Sequence, residues 1–270
     1  MSIITISRGT FSGGKAVAMC LADKLGYPCI SREVILDAAA EHGISIDKLT
    51  EAMERPPSFW QQVSGDRDIY LNYIREALCE RAKEGNLIYH GHAGHLLLAG
   101  VSHVIRVRVV ADMNARIETA MQRMNISRKE AVARIKEADL MRMKWTKFLY
   151  GVEWRDAYLY DVILNIERMG LEGACTIVAE MTKMPCYQPT AESRKALADC
   201  ALASRVWAAL AKDQRTKAIE VKVVADDGIV TVSGSTRSWD AIAAVPVVAG
   251  EVEGVREVHN QVGFGSVLVA

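Results

Sequence analysis

The clearest chemistry in this chain lies near its start, where Gly9, Gly14 and Lys15 stand in the spacing G-x-x-x-x-G-K. Thr10, Phe11, Ser12 and Gly13 fill the interval and Ala16 follows. A glycine-rich loop of this kind turns successive backbone N–H groups into one concavity. The helix behind it adds the partial positive charge of its N-terminus, and the lysine offers a mobile ammonium to the outer phosphates. The stretch from Gly9 to Ala16 is therefore expected to bind a polyphosphate. One part of the pattern is missing: Ala16 and Val17 stand where a Ser or Thr hydroxyl normally reaches Mg²⁺. The plainer alternative is a turn that only joins a strand to a helix, with Lys15 an ordinary solvated residue of the first turn.

Such a loop works only at a strand–helix junction, and the flanking sequence supplies one. The β-branched run Ile3-Ile4-Thr5-Ile6 precedes it, and helical spacing runs from Ala16 to Leu25. Beyond it, strand-like and helical stretches alternate. Tyr27 to Ser31 reads as a short strand and Arg32 to His42 as a helix, after which Pro56-Pro57 breaks the pattern. Asp66 to Glu84 is a helix ended by Gly85, and Asn86 to His90 a buried strand. Val104 to Val110 is a further strand, and Asn114 to Met124 a helix. Ser127 and Glu130 have capping-box spacing and open a long charged helix towards Tyr150. Tyr160 to Ile166 and Leu171 to Met184 complete a set of βαβ units, which predicts a parallel sheet.

The pattern changes at Pro185-Cys186-Tyr187-Gln188-Pro189-Thr190, which has two prolines and no periodicity. We expect residues 1–184 to form one domain, 185–191 a linker and 192–270 a second domain. In the second, an Ala-rich helix from Ser193 to Ala211 precedes an alternating strand at Ile219, Val221 and Val223. Asp226-Asp227-Gly228 turns the chain, Ile229 to Ser233 returns, and a helix near Trp239 to Ala249 and a strand near Val255 to Val262 give α-β-β-α-β.

Composition narrows the function classes. Lys+Arg and Asp+Glu are both 33, so net charge does not argue for nucleic acid or an anionic membrane as the main partner, and no nucleic-acid partner is expected. The six cysteines are scattered without C-x-x-C or metal-finger spacing, so they read as reduced, mostly buried thiols. With no signal-peptide pattern and no apolar run long enough for a span, a cytoplasmic location is expected.

Two resemblances cover nearly all of the chain. The first unit resembles the cytidylate kinase-like P-loop nucleoside monophosphate kinases. It does so through Ile4-Thr5-Ile6-Ser7-Arg8 leading into Ser12-Gly13-Gly14-Lys15, Gly91 after the third strand, Asp139-x-x-Arg142, and Tyr160-Asp161 with Asn165. The second resembles a BON domain through Asp227-Gly228-Ile229-Val230-Thr231-Val232-Ser233-Gly234 and Glu253-Gly254-Val255-Arg256-Glu257-Val258-His259-Asn260. Pro246 inside its second helix departs from that pattern. The implied fold class is α/β: a P-loop kinase fold with a five-stranded parallel sheet flanked by helices and a mobile lid, plus a small α+β (αββαβ) BON domain.

The first resemblance implies ATP-dependent phosphoryl transfer to a nucleoside monophosphate or a similar small phosphorylated acceptor, with ATP and Mg²⁺. Lys15 and Arg142 would be catalytic, Gly9 to Ala16 would bind the nucleotide, and Arg32, His92 and Asp139 would face the acceptor. Read from spacing alone, Asp139 and Arg142 are equally an exposed i,i+3 surface pair. Arg116 and Arg123 are further acceptor-side candidates or exterior charges. His92 stands where the family carries an arginine. The run His90, His92, His95 lacks a nearby carboxylate or cysteine and is not read as a metal site. No protein ligand is assigned to Mg²⁺; Asp112 sits at a strand's carboxyl edge, where it could serve the metal or cap a helix. The alternative class is a nucleotide sensor with little turnover that signals through the BON domain, whose family associations point to a lipid, ligand or protein partner. A homo-oligomer is left open.

Overall fold

The computed structural model describes residues 2–31, 66–91 and 93–265. Among these, β1 (Ile3–Arg8) runs through the glycine loop into α1 (Gly14–Leu25), and β2 (Cys29–Ser31) follows. Next come α2 (Asp66–Lys83), β3 (Leu87–His90), the short α3 (Gly94–Leu97) and β4 (Val104–Val110). The helices α4 (Met113–Met124) and α5 (Arg128–Tyr150) lead to β5 (Val162–Asn165) and α6 (Ile166–Met181). The five strands form one parallel sheet in the order β2-β3-β1-β4-β5. Loops that follow β1 and β4, adjacent in this order, share the carboxyl edge where such sheets place their ligands.

Alternation along the strands divides the core. Ile4, Ile6, Ile88, Val107 and Val109 pack against Val17, Ala18 and Leu21 of α1 and Ala174 and Val178 of α6. Ile3, Leu87, Tyr89 and Val104 face the other way, towards Ile74, Leu78 and Ala82 of α2. Strand side chains alternate with period two, so Thr5 and Ser7 share the face of Ile3 and bring polar groups into the interior beside the loop.

Two boundaries differ from the sequence reading, each because a polar side chain is used elsewhere. β5 starts at Val162 because Asp161 instead accepts the Arg106 N–H at 2.7 Å and pairs with its guanidinium at 2.6 Å. α6 opens at Ile166 under an Asn165 cap, then meets Gly170 at φ 72, so the expected start at Leu171 marks only its second part. The cysteine expectation is corrected. Cys20 of α1 and Cys175 of α6 form a disulfide with Cα atoms 6.3 Å apart. A separation of 155 positions hides a pairing that helix packing creates.

Residues 185–187 form a single 3₁₀ turn held to the first sheet's start, with the Ser2 hydroxyl donating to Tyr187 O at 2.9 Å. α7 (Ala191–Lys212) then opens with a Thr190 capping box, followed by β6 (Glu220–Asp226), β7 (Ile229–Thr236), α8 (Trp239–Gly250) and β8 (Glu257–Phe264). β6 and β7 pair antiparallel through Asp227-Gly228, both at positive φ, and β8 joins β7 in parallel. Positive φ at both turn residues suits the two-residue hairpin, whose twist matches that of its strands. α7 has two buried faces: Leu197, Ala201 and Ala208 pack with α2 in the first core, while Leu202, Val206 and Leu210 pack with Val230, Val232 and Val245 in the second. Pro246 does not interrupt α8. The proline removes the N–H that would bond Ile242 O, and Asn260 Nδ2 donates to that oxygen instead at 2.8 Å.

No helix among the described residues is long and apolar enough to cross a membrane.

Candidate active site

The loop after β1 needs glycine for space as well as conformation. Gly13 lies at φ 83, and a Cβ on it would meet Ile166 Cδ1 at 2.2 Å; one on Gly14 would meet the Arg8 Cδ at 2.5 Å. The backbone therefore turns tightly around the start of α1. Ser12 is buried, with its hydroxyl 2.9 Å from Gly9 O and 3.0 Å from Val109 O, so it ties the loop to β4. Phe11 also has positive φ, at 60°. Lys15 is exposed on the first turn of α1 and makes no ion pair among the described residues.

Two helices close over this loop and bring an ionic cluster to it. Arg116 of α4 donates Nε–H to Thr10 O at 2.7 Å and Nη2–H to Asp139 Oδ2 at 2.6 Å. Its guanidinium carbon would lie 3.3 Å from a Cβ on Gly9. Asp139 of α5 accepts the Thr10 backbone N–H at 3.1 Å. Arg142, one turn on, donates to Arg8 O at 2.9 Å and approaches Asp139 Oδ1 at 3.4 Å. Asp139 and Arg142 are thus an interior pair against the loop rather than an exposed surface pair. The spacing of three had left both arrangements open.

Burial works against the charges of Arg142 and Asp139. It pushes the Arg142 guanidinium down to about 10 despite the Asp139 carboxylate, with Arg8 and Arg116 acting in the same direction as burial. Arg142 stays protonated near neutral pH. For Asp139, burial alone would raise the carboxyl. The Arg116 and Thr10 hydrogen bonds and the Arg116 and Arg142 charges outweigh it and hold the group below the usual carboxylate range.

Behind the cluster lies a polar group that the sequence reading did not assemble. Arg108 of β4 is 8% exposed and forms no carboxylate pair among the described residues. It donates to Trp154 O at 2.9 Å, and its guanidinium lies over the Trp154 and Tyr160 rings at 4.7 and 5.4 Å. Its Nε has no hydrogen-bond partner. Arg142 lies over the same Trp154 ring at 5.1 Å. Trp154 Nε1–H donates to Ser7 Oγ at 3.0 Å, and the Tyr160 hydroxyl donates to Trp154 O at 2.8 Å. Tyr160 therefore braces the wall on which Arg142 rests. A signal was available: arginine at alternate positions of a buried strand, Arg106 and Arg108, places both on one face.

The remaining candidates divide clearly. Asp112 caps α4, accepting the Asn114 N–H at 2.7 Å, and Arg123 is exposed on the same helix. Arg32 and His92 lie outside the described residues. His90 and His95 are buried, and among the described residues no three His, Cys, Asp or Glu side chains gather as a metal site. A magnesium ion would find no hydroxyl at Ala16 or Val17, and the Ser12 hydroxyl is already engaged. The protein donors here do not make a cation cage. They fit a metal that arrives bound to phosphate oxygens and water.

Residues 3–168 match the model of the Cytidylate kinase-like family, and residues 198–265 match the BON domain model. Among curated proteins, the chain is 27% identical over 177 residues to the cytidylate kinase of Pyrococcus horikoshii, covering 65% of this chain and 85% of that protein. It is 28% identical over 184 residues to the cytidylate kinase of Ignicoccus hospitalis, covering 67% and 99%. Among solved structures, an uncharacterized protein from Eubacterium ventriosum superposes with a TM-score of 0.54 at 20% identity, over 68% of this chain and 99% of that one, a likeness of fold.

Proposed function

The chain belongs to the cytidylate kinase-like family, and from that premise we propose that it transfers the γ-phosphoryl group of ATP to a nucleoside monophosphate. The observation that carries this reading is the convergence of Arg116, Asp139 and Arg142 on the backbone of Arg8 and Thr10, where β1 enters the glycine loop. Phosphoryl transfer depends on positioning and charge neutralisation more than on covalent help, and these residues supply both.

The loop N–H groups and Lys15 hold the donor phosphates. Entry of those phosphates exchanges the Asp139 carboxylate at the Thr10 N–H for a phosphoryl oxygen. Arg116 and Arg142, already over the loop, then turn their charge from Asp139 to the transferring group. Mg²⁺ bound to the triphosphate would add charge neutralisation at the outer phosphates, with no side chain among the described residues assigned to hold it. Arg32, His92 and Asp139 are assigned to the acceptor side.

A screen of the common nucleoside monophosphates with ATP and Mg²⁺ tests the reading. Phosphate transfer to at least one acceptor is the expected result. The absence of a hydroxyl at Ala16 and Val17 favours a second reading, a sensor that binds nucleotide and passes the signal to the BON domain. ATP-induced stabilisation without transfer to any acceptor would select it. With neither transfer nor stabilisation, both readings fail.

A further inference from the structure

The helix shared between the two cores brings together two cysteines far apart in sequence. Cys79 on α2 and Cys200 on α7 are separated by 121 positions, yet their sulfurs lie 2.9 Å apart. That is inside the ordinary contact distance of two sulfur atoms, so only a small further approach separates the pair from an S–S bond. The two environments differ. Cys79 is wholly buried, whereas Cys200 is half-buried and lines an open cavity of about 660 Å³ together with Asn72, Arg75, Asp199 and Trp207. A small solute reaches Cys200 first and finds Cys79 immediately behind it.

The electrostatics assign complementary parts. The hydrogen bond to Cys200, together with burial, pushes the Cys79 thiol up. The hydrogen bond received from Cys79, reinforced by the Arg75 guanidinium, pulls the Cys200 thiol down against its burial. Arg75 is itself fixed by donating to Leu97 O at 3.0 Å. An accessible thiolate beside a cation, with a protonated thiol in contact, is the arrangement of a nucleophilic cysteine and its resolving partner.

We propose that Cys79 and Cys200 are an oxidisable dithiol whose disulfide, formed with a peroxide as oxidant, covalently joins α7 to α2. The Cys200 thiolate attacks one peroxide oxygen, breaking the O–O bond. The released hydroxide takes up a proton to leave as water, and Cys200 becomes a sulfenic acid. The Cys79 sulfur then attacks the Cys200 sulfur, an S–S bond forms, and the hydroxyl departs with the Cys79 proton as a second water. Two thiols are oxidised by two electrons and one peroxide is reduced to two waters. The Cys20–Cys175 disulfide lies between α1 and α6 and takes no part.

The test uses the full chain, treated with dithiothreitol or with stoichiometric hydrogen peroxide, digested without reduction and mapped by mass spectrometry. Peroxide is expected to produce a linked peptide pair containing Cys79 and Cys200, lighter by two hydrogens than the separate peptides. It is also expected to raise the thermal midpoint in a way that thiol reverses. Both effects should vanish in Cys200→Ser and in Cys79→Ala and persist in Cys20→Ser. The wild-type map alone decides the matter if a variant folds poorly. Recovery of both cysteines as free thiols, or of Cys200 as sulfinic acid without the linked pair, would overturn the proposal. The readout does not depend on phosphoryl transfer, so it stands or falls apart from the kinase reading.

Discussion

The Asp139 carboxylate accepts the backbone N–H of Thr10 at 3.1 Å, so a side chain of α5 fastens a loop 129 positions earlier. It does so while compensating Arg116 and Arg142, which makes one carboxylate responsible for two guanidiniums. Asp139→Asn keeps the shape and removes the charge, and is expected to destabilise the fold by about 1–3 kcal/mol at neutral pH. The folded carboxyl is depressed, so its stabilisation is complete above the unfolded value of about 3.9 and fades as pH falls from there towards the folded value. Denaturant melts at several pH values should show that decline in the wild type and a flatter profile in the variant.

Lys15 is exposed and makes no ion pair among the described residues, so Lys15→Ala should alter stability by no more than about 0.5 kcal/mol. Its effect belongs to the bound state. A ligand at 100-fold excess over its dissociation constant stabilises a protein by about 2.7 kcal/mol. Thermal melts with ATP are expected to show this shift in the wild type and little of it in the variant. An equal shift in both would remove Lys15 from the phosphate site.

For Arg142, removal should separate binding from chemistry. Arg142→Ala is expected to slow phosphoryl transfer by about 10²-fold or more while changing ATP affinity far less, because its charge matters most as the phosphoryl group moves. Single-turnover assays with a working acceptor give both quantities. Losses of equal size would assign Arg142 to binding alone.

His95 supplies a pH signature in a different range. Burial first, and then the Arg106 and Arg108 charges, lower its imidazole to about 4, and its ring lies 4.8 Å from that of Tyr160. A base depressed in the folded state stabilises fully above its unfolded value of about 6.5, and the benefit is lost as pH falls from there to about 4. Stability should fall by up to about 3 kcal/mol across that window. His95→Gln should flatten this segment of the curve and leave the segment below about pH 4, assigned to Asp139, in place.

The sequence showed most of what local chemistry determines. Gly13 and Gly14 mark a turn that backbone crowding requires, Ser127 and Glu130 form the capping box their spacing predicts, and Asp227-Gly228 makes the hairpin turn. What it hid depends on contacts between distant segments. Arg142 reads equally well as a surface charge until α5 is laid across the loop, and Trp154 carries no sign that it supports two guanidiniums. Pro246 read as a departure from the helix pattern because its replacement donor, Asn260, sits on another strand. The two cysteine pairs were invisible for the same reason, since helix packing alone brings their sulfurs together.

The two buried faces of α7 impose an order on synthesis. A ribosome delivers α2 and all five strands of the first sheet before it delivers Leu197, Ala201 and Ala208. Until those residues clear the exit tunnel, the apolar face of α2 that they cover is open to solvent, and the nascent first unit carries an unfinished core. Emergence of the first 184 residues therefore leaves that core incomplete, and its last apolar contacts form only as the second unit begins to appear.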